Sequence, residues 1–268
     1  MAPTARRWGA VNAVDVIHAN EVEAMASYPT PTVEVIGEVA TRQVSPDGAS
    51  LWLVAADLTA GTELRWGTEH GDEAVYVRSG SLAVDGRVCP ADGAVVVEAG
   101  VVASAIAEGE TSIVHVGPAD SSPPTAGLRG PAESEGRGVR VIGSDGIWAT
   151  VDDTQRTRFF SDASAPTNRL WLLATDRAQY FESSAHSHSQ DELIHVLRGE
   201  IRVGRRIVGV GDTLWVAADR RYKLFSGDDG VHFINYRRDA SVMISPNYDG
   251  PLLEAGEATN MTWVNDTR

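Results

Sequence analysis

The sequence predicts an all-β protein of two successive β-sandwich or barrel units. Three observations carry that expectation: short apolar runs separated by turn signals, an internal repeat longer than a hundred residues, and a Pro/Gly/Ser-rich stretch between the two copies. The first half contains the runs LWLVAA from Leu51, AVYV from Ala74, AVVV from Ala94 and SIVHV from Ser112. The second contains RLWLLA from Arg169, LIHVL from Leu193, IRVG from Ile201, TLWVA from Thr213 and HFINY from His232. Runs of this length with DG and GD punctuation are strand signals, and many of them in succession point to a sandwich or barrel. One helix is expected, near Asn20 to Ser27. The tail from Met243 lacks a period, and is expected to pack against a barrel or a neighbouring subunit.

Residues 51–80 and 170–199 align at a constant offset of 119, and ten of the thirty positions are identical. Among them are Leu51/Leu170, Trp52/Trp171, Asp57/Asp176, Glu73/Glu192 and Gly80/Gly199. Outside that block VEVIG (33–37) is set against VRVIG (139–143), and SIVHVGP (112–118) against GVHFINY (230–236). A period this long means a duplicated domain, since solenoid units are shorter. The expected organisation is a first barrel over 1–117, an exposed linker over 118–138, and a second barrel with its tail over 139–268.

A net charge of −14 opposes binding to phosphate backbones and anionic lipid. The arginine pairs Arg205–Arg206, Arg220–Arg221 and Arg237–Arg238 read as edge or turn charges. No apolar run approaches the ~20 residues of a membrane span. The N-terminus lacks the continuous apolar core of a secretory signal. The single cysteine, Cys89, cannot close an internal disulfide and reads as a buried, inert thiol. A cytoplasmic protein with a small-molecule substrate, and neither nucleic acid nor membrane as a partner, is expected. Sheet edges that need covering, with terminal segments able to reach across, suggest a homodimer.

The segment HSHSQDELIHVLRGE (186–200) carries the chemistry. On an extended strand His186 and His188 point to the same side. Ser189, Gln190 and Asp191 are turn formers, and Glu192 opens the returning strand. Two imidazoles and a carboxylate then converge, a donor set for Fe(II), Mn(II), Ni(II), Zn(II) or Cu(II) and not for calcium.

The pattern H-x-H-x3-E-x6-G, here His186, His188, Glu192 and Gly199, resembles the first motif of the cupin superfamily of double-stranded β-helix (jelly-roll) barrels. The second cupin motif, G-x5-P-x-G-x2-H, resembles GDTLWVAADRRYKLF from Gly211. Ala217 stands at the proline, Asp219 at the glycine and Tyr222 at the histidine that would be the fourth ligand. The duplication makes the whole chain resemble a bicupin. In the first half Gly67, Glu69 and Ala103 fall at the places of His186, His188 and Tyr222, which leaves Glu73 without a ligand set. Glu69, His70 and Glu73 are too few convergent donors to fill a metal shell, so a structural or empty first barrel is expected.

A phenol binds divalent ions poorly before it loses its proton, so Tyr222 is expected to line the pocket or donate a hydrogen bond. His195 is expected on the opposite face of its strand. His232 is a conceivable substitute ligand, set aside because it aligns with His115 of the half that lost the site. Two histidines and one carboxylate resemble the facial triad of non-haem Fe(II) oxygenases. The resemblance to bicupin enzymes implies a dioxygenase such as the quercetin-cleaving ones, a decarboxylase acting on oxalate, or an isomerase. The leading expectation is an Fe(II) oxygenase. The alternatives are an O2-independent isomerase or lyase, in which the ion polarises a carbonyl or enol, and a non-catalytic small-molecule-binding cupin. Tyr222 and Gln190 are the candidate catalytic residues, with Tyr180, Phe181 and Trp215 as candidate pocket lining.

Overall fold

A computed structural model describes residues 13–122, 132–144, 147–151, 153–161, 166–244 and 251–253. Strands dominate both halves, as the apolar runs predict. Among the described residues the segment expected to be helical holds only a 3-10 turn, Ala19–Glu21. None of the described helices is long and apolar enough to cross a membrane.

The first barrel combines two antiparallel sheets. One runs Val139–Ile142, Ala94–Val97, Glu73–Ser79, Thr111–Pro118, Leu51–Leu58 and Val39–Gln43. The other runs Val33–Ile36, Glu63–Trp66, Ala103–Ala107, Ser81–Val84 and Arg87–Pro90. The large sheet of the second barrel runs Val14–Ile17, Thr213–Val216, Glu192–Val203, Phe225–Arg237, Trp171–Arg177, Gln155–Phe159 and Ile147–Val151. Arg206–Val208 adds to the far end of Glu192–Val203.

The halves trade a strand. Val14–Ile17, from the start of the chain, pairs with Thr213–Val216 of the second barrel. Val139–Ile142, which precedes the second barrel, pairs with Ala94–Val97 of the first. The registers match: Val14 opposes Val216 as Val139 opposes Val97, and those two partners are 119 apart. VDVI is therefore the structural counterpart of VRVI. The sequence alignment set VEVI in that role, but Val33–Ile36 pairs with Glu63–Trp66 instead. A division at 117 and 139 groups Val14–Ile17 with the first barrel and Val139–Ile142 with the second, while each strand pairs with the other barrel.

Period-two alternation divides the apolar residues between cores. Leu51, Leu53, Leu170 and Leu172 meet Tyr76, Phe160, Trp215 and Tyr236 in a core shared by both barrels. Val54, Ala56 and Leu58 turn into the first barrel with Val75, Val77 and Val95. Ile194, Val196, Leu214, Val216 and Phe233 fill the second. Met243 does not open an irregular tail: Val242–Ile244 pairs with Ser187–His188 on one side and Pro251–Leu253 on the other. Residues beyond 253 in that expected tail lie outside the described residues.

Gly80 and Gly199 are needed for backbone reasons in both copies. Each has positive φ, +78° and +71°, and a Cβ there would lie 2.5 Å from Glu110 O or 2.1 Å from Gly230 O. That sterics-driven requirement accounts for the glycine that closes the motif.

Candidate functional site

The site of the second barrel is assembled from three segments. Glu192 starts the strand Glu192–Val203, in register with Val216 on one side and Arg237 on the other. His186 stands opposite Tyr222 in an isolated bridge, with backbone hydrogen bonds in both directions at 2.9 and 3.0 Å. Three residues before His186 the pairing is offset by one, Ser183 N donating to Leu224 O. The bulge leaves Ser184 O facing His186 Nδ1 at 2.7 Å, which orients the ring. Its carbonyl only accepts, so Nδ1 carries the proton and Nε2 presents the lone pair.

His186, His188, Glu192 and Tyr222 are all buried. The His186 ring lies 5.0 Å from that of His188 and 4.5 Å from that of Tyr222. Tyr222 therefore stands beside both histidines. Glu192 Oε2 accepts from Asn235 Nδ2 at 2.7 Å and from Arg237 Nε and Nη2 at 3.2 and 3.0 Å. Its other oxygen, Oε1, lies 4.0 Å from His188 Nε2. Burial pushes the Glu192 carboxyl up, but the charge of Arg237, with His188, Tyr222 and Asn235 beside it, outweighs burial and holds it below the usual carboxylate range.

Arg237 was expected at a sheet edge or turn. It is instead 3% exposed, with its guanidinium inside the barrel. Nη2 donates to His188 Nε2 at 3.1 Å, and Nη1 to Ser241 Oγ at 3.2 Å. The three expected ligands are thus neighbours that do not close into a shell. Among the described residues no three His, Cys, Asp or Glu side chains are grouped so as to hold a metal ion.

A second guanidinium serves the same interior. Arg177 stacks over Phe181 at 4.4 Å and lies 5.8 Å from the Phe233 ring. Its buried Nε and Nη1 have no hydrogen-bond partner among the described residues. Burial pulls it down to about 10, against the charges of Tyr222 and Glu192, which raise it.

No family model and no curated protein matches the chain. Solved structures do. The formate complex of oxalate decarboxylase from Lactobacillus farciminis superposes with a TM-score of 0.66 at 13% identity, over 90% of each chain. The Bacillus subtilis oxalate decarboxylase, in a study of its Mn(II) centres, gives 0.64 at 13% identity over 90% of this chain and 81% of its own. The fold is the tandem jelly-roll of these decarboxylases. At such identity the likeness is one of fold, and the chemistry rests on the side chains present here.

Within that tandem jelly-roll the first barrel has filled its own site. Trp66 stands opposite Ala103, as His186 stands opposite Tyr222, so Trp66 and not Gly67 takes the place of His186. Its Nε1 donates to Glu73 Oε2 at 2.8 Å. His115 Nε2 donates to the same oxygen at 2.9 Å, and the Tyr28 hydroxyl meets His115 Nδ1 at 2.8 Å. Burial, with the charge of Glu73, holds the Tyr28 phenol well above its ordinary value. Gly67, Glu69 and Ala103 line an open cleft of about 720 Å³ on the other side of Trp66. His70 is spent on Gly71 O and Val101 O at 2.7 and 2.9 Å. Glu69, His70 and Glu73 do not form one site.

Register also corrects the pairing of His115 with His232. Asp57 opposes Ser112 and Asp176 opposes His232, so Ser112 is the counterpart of His232. The same step makes Asn235 the counterpart of His115 and Arg237 that of Gly117. His232 Nδ1 is held by Asp176 at 2.9 Å, away from the ligand cluster. His195 is buried on Thr213 Oγ1 at 3.0 Å, on the opposite strand face as expected. Trp215 does not line the pocket: it belongs to the core between the barrels. Tyr180 is 68% exposed, Phe181 sits under Arg177, and Gln190 is half-buried in the turn before Glu192.

Proposed function

We propose that the second barrel is a divalent-metal site acting on a small organic anion, as a lyase or isomerase that consumes no O2. The observation that carries this is the state of Glu192. One carboxylate oxygen is held by Asn235 and Arg237, while Oε1 is buried without a hydrogen bond among the described residues and faces His188 Nε2 across 4.0 Å. That division of labour is what a metal-binding carboxylate needs, with one oxygen oriented from behind and the other presented to the ion. Metal–ligand bonds of ~2.0–2.2 Å bridge a gap of that width with small movements. His186, with Nδ1 tied to Ser184 O, presents Nε2 from beside His188. His186, His188 and Glu192 would hold the ion.

When bound, the ion would polarise a carboxylate or carbonyl oxygen of the substrate. The chain's own residues do the rest. Arg237 and Arg177 bring two positive charges against the single carboxylate of Glu192 into a protein of net charge −14, which favours an anionic substrate. Tyr222, packed on His186, is placed to donate a hydrogen bond to it, and Gln190 in the adjoining turn is the second candidate contact. The apolar residues beneath, Val196, Leu224 and Phe233, exclude water from below.

Mn(II) is proposed ahead of Fe(II). An imidazole–carboxylate set accepts either, and the oxalate decarboxylase of similar fold carries Mn(II). Lyase chemistry on a small carboxylic acid such as oxalate accordingly replaces the oxygenase as the leading reading. The test is metal analysis of protein as isolated, with O2 uptake followed during turnover of oxalate and other short dicarboxylates. Turnover with bound Mn(II) and no net O2 uptake is expected. One O2 consumed per substrate restores the oxygenase, and absence of metal after incubation with Mn(II) removes the metalloenzyme altogether.

A further inference from the structure

We propose that Arg237 is a resident cation of the second barrel, one that competes with a divalent ion for the lone pair of His188 and so sets how tightly the site takes metal. The inference rests on the metal site proposed above and concerns what that site must give up to fill.

The guanidinium is buried and in register with Glu192 on the neighbouring strand. Its Nη2 lies 3.0 Å from Glu192 Oε2 and 3.1 Å from His188 Nε2, so one nitrogen spans two of the three proposed ligands. A guanidinium in a protein only donates, so His188 Nε2 is the acceptor in that contact. The lone pair that accepts from Arg237 is the lone pair a metal needs. It cannot serve both, and metal entry must break the Arg237–His188 hydrogen bond. Glu192 differs, because Arg237 uses Oε2 and leaves Oε1 to the ion.

Electrostatics adds to this competition. A fixed positive charge a few ångströms from a divalent ion repels it strongly in a buried site. The arrangement is peculiar to this barrel. In the first barrel the counterpart of Arg237 is Gly117, where a Cβ would lie 2.3 Å from Trp52 Cζ2, and Glu73 Oε2 accepts from an indole and an imidazole instead.

The experiment is a titration of chelator-stripped full-length protein with Co(II), read by its visible absorption, and with Mn(II), read by calorimetry. Wild type is compared with Arg237→Gln and Arg237→Lys. Loss of the spanning cation is expected to tighten binding by about tenfold or more in Arg237→Gln. Arg237→Lys, which keeps a charge but not the reach of a fork, should tighten it less. If Arg237→Gln fails to fold, Arg237→Lys decides by the same sign. Affinity equal to or weaker than wild type overturns the inference and makes Arg237 a plain support for Glu192. Binding by the variants alone upholds it while refuting the metal-loaded wild type proposed above. Binding by none of the folded proteins refutes both.

Discussion

Replacing Glu192 with glutamine tests the electrostatic core of the second barrel without involving metal. The side chain is fully buried and accepts three N–H bonds, two of them from the Arg237 guanidinium. Glutamine keeps the volume and one acceptor oxygen but removes the charge, leaving a guanidinium buried without its counter-ion. Removing one partner of a buried pair costs ~3–5 kcal/mol. The retained amide oxygen argues for the lower end, about 3 kcal/mol. At ~2–4 °C per kcal/mol for a chain of this size, the melting temperature should fall by about 6–12 °C in chelator. The pH dependence follows from the sign of the shift. The folded carboxyl lies below its ordinary value, so its contribution is fully present above the usual carboxylate range and is lost as pH falls from that range down through the lower folded value. Wild type and Glu192→Gln should therefore converge in acid. Urea melts at several pH values read both effects. A variant as stable as wild type at neutral pH, or a gap that widens in acid, would refute the reasoning.

Three further outcomes are expected. Trp66→Phe removes one of two donors to the buried Glu73 carboxylate and should cost ~2 kcal/mol in chemical denaturation, with little effect on metal binding in the other barrel. Cys89 is buried, and burial pushes its thiol up to about 12, so it should resist a disulfide reagent at pH 8 in the native protein and react once unfolded. Burial, with the charge of Arg78, pulls His195 down to about 3. The unfolded chain then binds the extra proton, so stability should fall as pH drops below ~6.5, and His195→Asn should flatten that slope.

Much of the architecture was legible because strand alternation and duplication both leave marks in a single sequence. The offset of 119 that aligns Glu73 with Glu192 also aligns their registers against Val97 and Val216. The strand exchange was hidden because VDVI, VEVI and VRVI are equally good β-strand sequences, and only hydrogen bonding says which pairs where. Trp66 was misread by one residue because the bulge before His186 shifts the second copy relative to the first, and an ungapped alignment cannot see a bulge. Arg237 reads as an edge or turn charge only while its strand face is ignored. In FINYRR, Ile234 and Tyr236 turn to the core between the barrels, while Asn235 and Arg237 turn inward onto Glu192. That alternation of apolar and polar residues was present in the sequence. A polar pair on the inner face of a barrel strand is the signal that would have found them.

The most direct test of the account is an anomalous difference map from crystals of the full chain grown in Mn(II). One peak is expected in the second barrel, within bonding distance of His186 Nε2, His188 Nε2 and Glu192 Oε1, with Arg237 withdrawn from His188 and still on Glu192 Oε2. A second barrel without a peak, its His188 still hydrogen-bonded to Arg237, would contradict it.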